Sequence, residues 1–224
     1  MLWKNITILL IIMAISICHA TKAMQAKMDV QQMLDGLYSE ISGYLIDIHD
    51  RDRVEQNGGN ATYGEITFSG VQKLLAHLHL TEHDIFYDLG CGVGKMVMQV
   101  YLTSPVKKSV GIELSQERFA SAERAKQLIL EVETLEPGRT FEFIHGDILT
   151  ANIHEATAIY LASTCFSDDF MQRITEKFIT QTPASIRIVT LRELPANNAF
   201  VLSETLELPM TWSDHTPVYV YRRK

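Results

Sequence analysis

Asp88-Leu89-Gly90-Cys91-Gly92-Val93-Gly94-Lys95 joins a short apolar run, Ile85–Leu89, to an amphipathic one, Gly94–Leu102. The order is strand, glycine-rich turn, helix. Glycines allow a tight turn and a close approach of backbone to ligand, and the following helix start offers free N–H groups. Two phosphate-binding spacings fail here. A P-loop needs Gly-Lys followed by Ser or Thr, with another glycine five residues before the last. Met96 follows Lys95, and Leu89 stands at the earlier position. A dinucleotide fingerprint needs its third glycine three residues after the second, and that residue is Lys95. What remains is Gly90-x-Gly92-x-Gly94 preceded by an acid, Asp88.

From Ile85 onward, short β-rich runs alternate with amphipathic ones. The strand candidates are Ile85–Leu89, Ser109–Leu114, Phe141–His145, Ala158–Ala162, Ile186–Leu191, Val201–Leu208 and Pro217–Arg222. Between the first five lie helical patterns at Gly94–Leu102, Ser115–Leu135, a short one near Asn152, and Ser167–Thr180. Ser167 can cap the last, and Asp168 and Asp169 suit the positive end of its dipole. Such alternation predicts an α/β fold: a Rossmann-like, mostly parallel seven-strand sheet with helices on both faces. No helix separates the last two strands. Pro209–Thr216 is short enough for a hairpin, so the seventh strand should run antiparallel. Upstream, apolar residues from Val30 to Ile48 recur at helical steps and predict a helix over 24–49. Asp50–Ala61 reads as a loop around Asn57-Gly58-Gly59-Asn60, and a second helix is expected over Val71–Leu80.

Two acids fall at strand ends where nucleoside ligands are held. Glu113 closes the second strand, 23 residues after Gly90, and a carboxylate there can accept from both ribose hydroxyls. Asp147 follows the third strand in Gly146-Asp147-Ile148 and can accept from an adenine amino group. Together with the glycine spacing they point to S-adenosylmethionine (SAM).

A further element narrows the reading. Tyr63-Gly64-Glu65-Ile66 precedes Asp88 by 25 residues, counted from Tyr63. With Asp-Leu-Gly-x-Gly-Val-Gly at 88–94, Gly-Asp-x-Leu at 146–149, Trp212 and Pro217-Val218, the region from about 61 to 224 resembles the disruptor-of-telomeric-silencing ("Dot-one") histone lysine methyltransferases, which lack a SET domain. The resemblance implies a SAM-dependent protein-lysine N-methyltransferase. Tyr63, Gly64, Glu65 and Ile66 should fold over the cofactor. Asp88, Gly90, Cys91, Gly92, Val93, Gly94 and Lys95 should line its methionine end, Glu113 the ribose, and Asp147 with Ile148 the adenine. The acceptor amine should enter a narrow apolar channel, for which Ser163, Tyr219 and Tyr221 are the candidates; no metal is expected. The chain departs from the family in three places. Cys91 replaces a serine and Lys95 a glutamine, and Leu161-Ala162-Ser163-Thr164-Cys165-Phe166 stands where the family carries an Asn-Asn pair. The last departure keeps a small-molecule methyltransferase open as an alternative, and a non-catalytic SAM-binding module is a further one.

Composition bounds the rest. Hydrophobic residues make up 46% and charged residues 21%, which is globular. Lys+Arg number 20 against 27 Asp+Glu, a net charge of −7, so direct nucleic-acid binding is a poor expectation and the partner implied is a protein with an accessible lysine. Three cysteines exclude a disulfide scaffold, and Cys165 is expected in the interior. Lys4, the apolar run Ile6–Ile17 and the small residue Ala20 read as a signal peptide or membrane anchor over residues 1–20. The chain is therefore expected to be exported or anchored, with membrane contact only through that segment. Residues 21–60 then form a helical segment and loop ahead of the 61–224 domain.

Overall fold

The computed structural model describes residues 30–224, so the reading of residues 1–20 as signal or anchor lies outside the described residues. Two compact units divide the chain at Gly36. Among the described residues, those over 30–37 form helix α1, which crosses that division. The second unit holds the other elements of the described residues. It has α2 (Ile48–Gln56), α3 (Phe68–Leu78), β1 (Ile85–Leu89), α4 (Lys95–Thr103), β2 (Lys108–Glu113) and α5 (Gln116–Val132). There follow β3 (Thr140–His145), β4 (Ala158–Leu161), α6 (Asp168–Gln181), β5 (Arg187–Thr190), β6 (Phe200–Met210) and β7 (Ser213–Arg223).

The sheet order is β3-β2-β1-β4-β5-β7-β6. The first five strands pair in parallel, and β7 runs antiparallel to both β5 and β6. Strand order reverses between β1 and β4, and in open α/β sheets the crevice beyond such a switch point binds ligands. The glycine turn leaves β1 at that point.

Alternation along each strand divides the core. Phe86 on β1 and Ala158 and Tyr160 on β4 face a layer with Val71, Leu74 and Leu78 of α3 and Met96 and Val100 of α4. Tyr87, Leu89, Ile159 and Leu161 face the opposite layer, with Phe170, Met171, Ile174 and Phe178 of α6. The strands are thus buried on both sides, as parallel strands are. Truncating a fully buried side chain such as Phe86 to Ala is worth about 3–5 kcal/mol of stability.

Four expectations need correction. The helix expected over 24–49 ends at 37, and α2 forms within the stretch read as a loop. Asp47 starts α2 by accepting from the amides of His49 and Asp50, and Gly58 closes the chain behind it at φ 77°. Tertiary packing breaks the earlier pattern: Gly43 must abut the Tyr63 ring, where a Cβ would overlap it. No helix forms near Asn152. Its side chain accepts from His154 N, and Lys177 Nζ takes the carbonyls of Leu149 and Ala151 that a helix would use. The terminal hairpin turns on Thr211 and Trp212 alone, because Pro209 and Pro217 lie within the strands. The carbonyl of Pro209 accepts from Thr67. Finally, Cys165 is exposed, since β4 ends at Leu161 and the chain then leaves the sheet.

Candidate functional site

A cavity of about 320 Å³ lies beyond the carboxyl ends of β1, β2 and β4. Tyr63, Gly64, Glu65, Ile66, Asp88, Gly90, Cys91, Gly92, Lys95, Glu113, Asp147 and Ile148 all line it. Twelve of the fourteen residues read from the sequence as cofactor contacts therefore share one hollow. The other two act behind it. Val93 is fully buried and its carbonyl accepts from Tyr38 Oη at 3.0 Å. Gly94 begins α4 at φ 82°.

The floor is the glycine turn. Gly90 N and Cys91 N both donate to the carbonyl of Ile112, which ties the turn to β2. Gly92 adopts φ 57° and leaves room for the Tyr63 ring, which a Cβ there would overlap. The carboxylate of Glu113 spans the turn: Oε2 accepts from Gly92 N and Oε1 from Ser115 N, each at 2.8 Å. A carboxylate has about four acceptor positions, so two remain for a ligand. Burial pushes the Glu113 carboxyl up, while those amides and the Arg118 guanidinium pull it back down.

Asp88 differs. It is only 4% exposed, and no donor among the described residues meets its oxygens. Burial, with Glu113 nearby, pushes its carboxyl up to about 8. Burial and both carboxylates also push the Cys91 thiol up, so it is a small packed group rather than a nucleophile.

Residues 61–67 close one side. Ile66 bridges Met210, and Glu65 exchanges bonds with Thr211 across the terminal hairpin. Tyr63 Oη donates to Glu65 at 2.7 Å, and the other Glu65 oxygen lies 3.6 Å from Lys95 Nζ. Burial and the Glu65 charge hold the Tyr63 phenol well above its usual range, so it stays a donor. At the far edge Asp147 Oδ1 accepts from Leu149 N at 2.8 Å.

The acceptor candidates fall elsewhere. Ser163 is fully buried, and its Oγ accepts from the amides of Leu191 and Arg192, both at 3.0 Å. Tyr221 Oη accepts from Leu194 N at 3.0 Å within the α6-side core, and Tyr219 packs against the same cluster. None of the three lines the cavity. Its apolar wall comes from Tyr160, Ala162, Phe166, Phe170 and Trp212. Trp212 reaches it from the two-residue turn, packed on Gly64. Sequence reasoning also missed Arg118, which stands in the first turns of α5 with no pattern of its own.

A family model described as histone methylation protein DOT1 matches residues 51–220. A Caenorhabditis elegans histone-lysine N-methyltransferase, H3 lysine-79 specific, is 32% identical over 174 residues, 68% of this chain and 18% of that protein. A protein-lysine N-methyltransferase from Saccharolobus islandicus is 29% identical over 89 residues, 40% of this chain and 52% of that one. The chain thus spans about half or less of the length of these curated relatives. A solved magnesium protoporphyrin IX methyltransferase from Synechocystis superposes with a TM-score of 0.54 at 12% identity, covering 89% of this chain and 97% of that one; the likeness is one of fold. The match over residues 51–220 takes in the lid, the glycine turn and both strand-end acids, and on it the chain belongs to the DOT1 histone-methylation family.

Proposed function

We propose that the protein is a SAM-dependent protein-lysine N-methyltransferase. The observation that carries the proposal is the single cavity joining the Tyr-Gly-Glu lid, the glycine turn and the acids Asp88, Glu113 and Asp147. The donor set fits the cofactor. Glu113 keeps acceptor positions for ribose hydroxyls, Asp147 keeps one carboxylate oxygen for an amino group, and Ile148 offers an apolar face. A Cβ built on Gly90 meets nothing within 4 Å, so the turn leaves open space for a ligand against its backbone.

SAM, when bound, supplies an electrophilic methyl group; the chain supplies alignment and a dry environment. A lysine must shed its proton before it can act as a nucleophile. The wall of Phe166, Phe170, Ala162 and Trp212 disfavours an ammonium and so lowers the amine's pKa. No side chain here is required to act as a base. We include a protein partner with an accessible lysine in the proposal. We also include the reading that residues 1–20 export or anchor the chain, which N-terminal sequencing of the natural product tests.

The direct test is calorimetric titration with S-adenosylhomocysteine (SAH), followed by transfer of labelled methyl groups to protein mixtures and mass spectrometry of lysines. Binding with methyl-lysine formation is the expected result. Binding with label only in small molecules would move the reading to the alternative that the stretch Leu161–Phe166 suggests, and no binding would overturn it.

A further inference from the structure

Arg118 is the most fully engaged cation at the cavity. It is 5% exposed and belongs to α5, three residues past the N-cap Ser115. Its Nε donates to the carbonyl of Gly43 at 3.0 Å and its Nη2 to that of Ala61 at 2.7 Å. The guanidinium carbon sits 4.7 Å from the centre of the Tyr63 ring. Glu113, at the end of β2, lies within its electrostatic reach. One side chain therefore meets the segment before α2, the base of the lid and the lid's aromatic ring, and acts through space on the carboxylate that holds the glycine turn. A planar fork can serve two carbonyls and a ring face at once, which an ammonium cannot.

We propose that Arg118 is a positioning residue that couples closure of the Tyr63–Ile66 lid to the ligand-ready arrangement of Glu113. Two separate connections support this. The lid is fixed at its N-terminal end by Arg118 and at its C-terminal end by Thr211, so releasing the first leaves it hinged on the second. Glu113 is fixed by the amides of Gly92 and Ser115, and Tyr63 packs on that same Gly92. Movement of the Tyr63 ring off Arg118 thus reaches the amide that orients Glu113. The inference rests on the proposed cofactor site, but part of its test does not.

The test compares the full chain with Arg118→Lys and Arg118→Met. In the free proteins, hydrogen exchange is followed at the amides of Glu65 and Thr211, which belong to the lid's attachment, and at Gly92 and Ser115, which belong to Glu113. Both pairs are expected to lose protection together, more in the Met variant. SAH affinity, measured well below each melting temperature, should fall about tenfold or more. Millimolar guanidinium should partly restore it in the Met variant, which a merely less stable protein would not show. If the Met variant does not fold, the Lys variant decides, because it keeps the charge and loses the fork. Unchanged exchange at all four amides in a folded variant would overturn the coupling, as would loss at the lid pair alone. Absence of SAH binding by the unsubstituted protein would instead overturn the cofactor reading, and the exchange data would still judge Arg118.

Discussion

Replacing Asp88 by Asn is expected to stabilise the free protein, and to do so more as pH rises. In the folded chain burial and the neighbouring Glu113 push the Asp88 carboxyl up to about 8, from an ordinary value of 3.8. Between those two values the folded state holds a proton that the unfolded state has released. Folding then takes up a proton, and stability falls with rising pH. The slope is about 1.4 kcal/mol per pH unit, so the ceiling between about pH 5 and pH 8 is about 4 kcal/mol. Relaxation around the charge reduces this, and about 1–3 kcal/mol is the expected size. Asn matches the protonated carboxyl in shape and has nothing to ionise. The advantage of Asp88→Asn over the natural chain should therefore be small near pH 5, grow towards pH 8 and then level off. Urea denaturation at several pH values, with m-values checked for equality, measures it. A pH-independent difference, or an Asn variant less stable at pH 8, would refute the electrostatic reasoning.

Gly92→Ala should weaken SAH binding by about tenfold or more and lower the melting temperature. The residue sits at φ 57° and its new Cβ would displace the Tyr63 ring, so fluorescence and calorimetry should report both losses. Ser163→Ala should cost about 1–3 kcal/mol in denaturant titration, through the stranded amides of Leu191 and Arg192, while SAH affinity stays unchanged; a lost affinity would return Ser163 to the site. Lys177→Met frees the carbonyls of Leu149 and Ala151 beside Asp147, and adenosine binding measured by calorimetry should weaken with it. Binding a ligand that carries an ammonium near Asp88 should drive that carboxyl to ionise, releasing up to about one proton at neutral pH, seen as a buffer-dependent binding enthalpy.

The central strands are legible because burial on both faces leaves short β-rich runs, and β6 and β7 because turn residues bound an apolar-polar alternation; every strand expected is present. The carboxylate pair was legible for a related reason. Strand ends at a switch point are fixed by topology, so Glu113 and Asp147 could be placed by counting alone. What escaped the sequence depends on tertiary contacts that no periodicity encodes. The segment after Leu37 carries a helical pattern, yet Gly43 is needed against Tyr63 and Asp47 caps a new helix, so the pattern breaks where packing demands. The tyrosines of β7 look like channel residues, but alternation on a strand gives two faces and not the assignment between them; Tyr221 points to the core behind Leu194. In the sequence Trp212 carries meaning only as part of a resemblance. Its place at the cavity follows from a turn two residues tight, where the prolines had suggested a longer loop. Arg118 had no signal at all, since a lone arginine on an amphipathic helix reads as a solvated surface residue.

The free site is electrostatically incomplete, and that incompleteness bears on function. Glu113 has amide donors and a nearby guanidinium, whereas Asp88, equally buried, has no donor among the described residues. A folded chain selected for stability alone would place an apolar or amide side chain at 88, because an unpaired buried carboxyl works against folding at neutral pH. Retaining it makes sense where a ligand brings the missing positive charge, as the ammonium at the methionine end would. The same repulsion that weakens the free protein then becomes affinity for a cationic nucleoside. Destabilised residues of this kind belong at sites whose partner is absent from the free chain. Asp88→Asn should therefore stabilise the free protein and weaken SAH binding, both from one cause. A variant that gained stability with rising pH yet bound SAH as tightly as before would show that the buried charge serves neither fold nor ligand, and Asp88 would lose its place among the cofactor contacts.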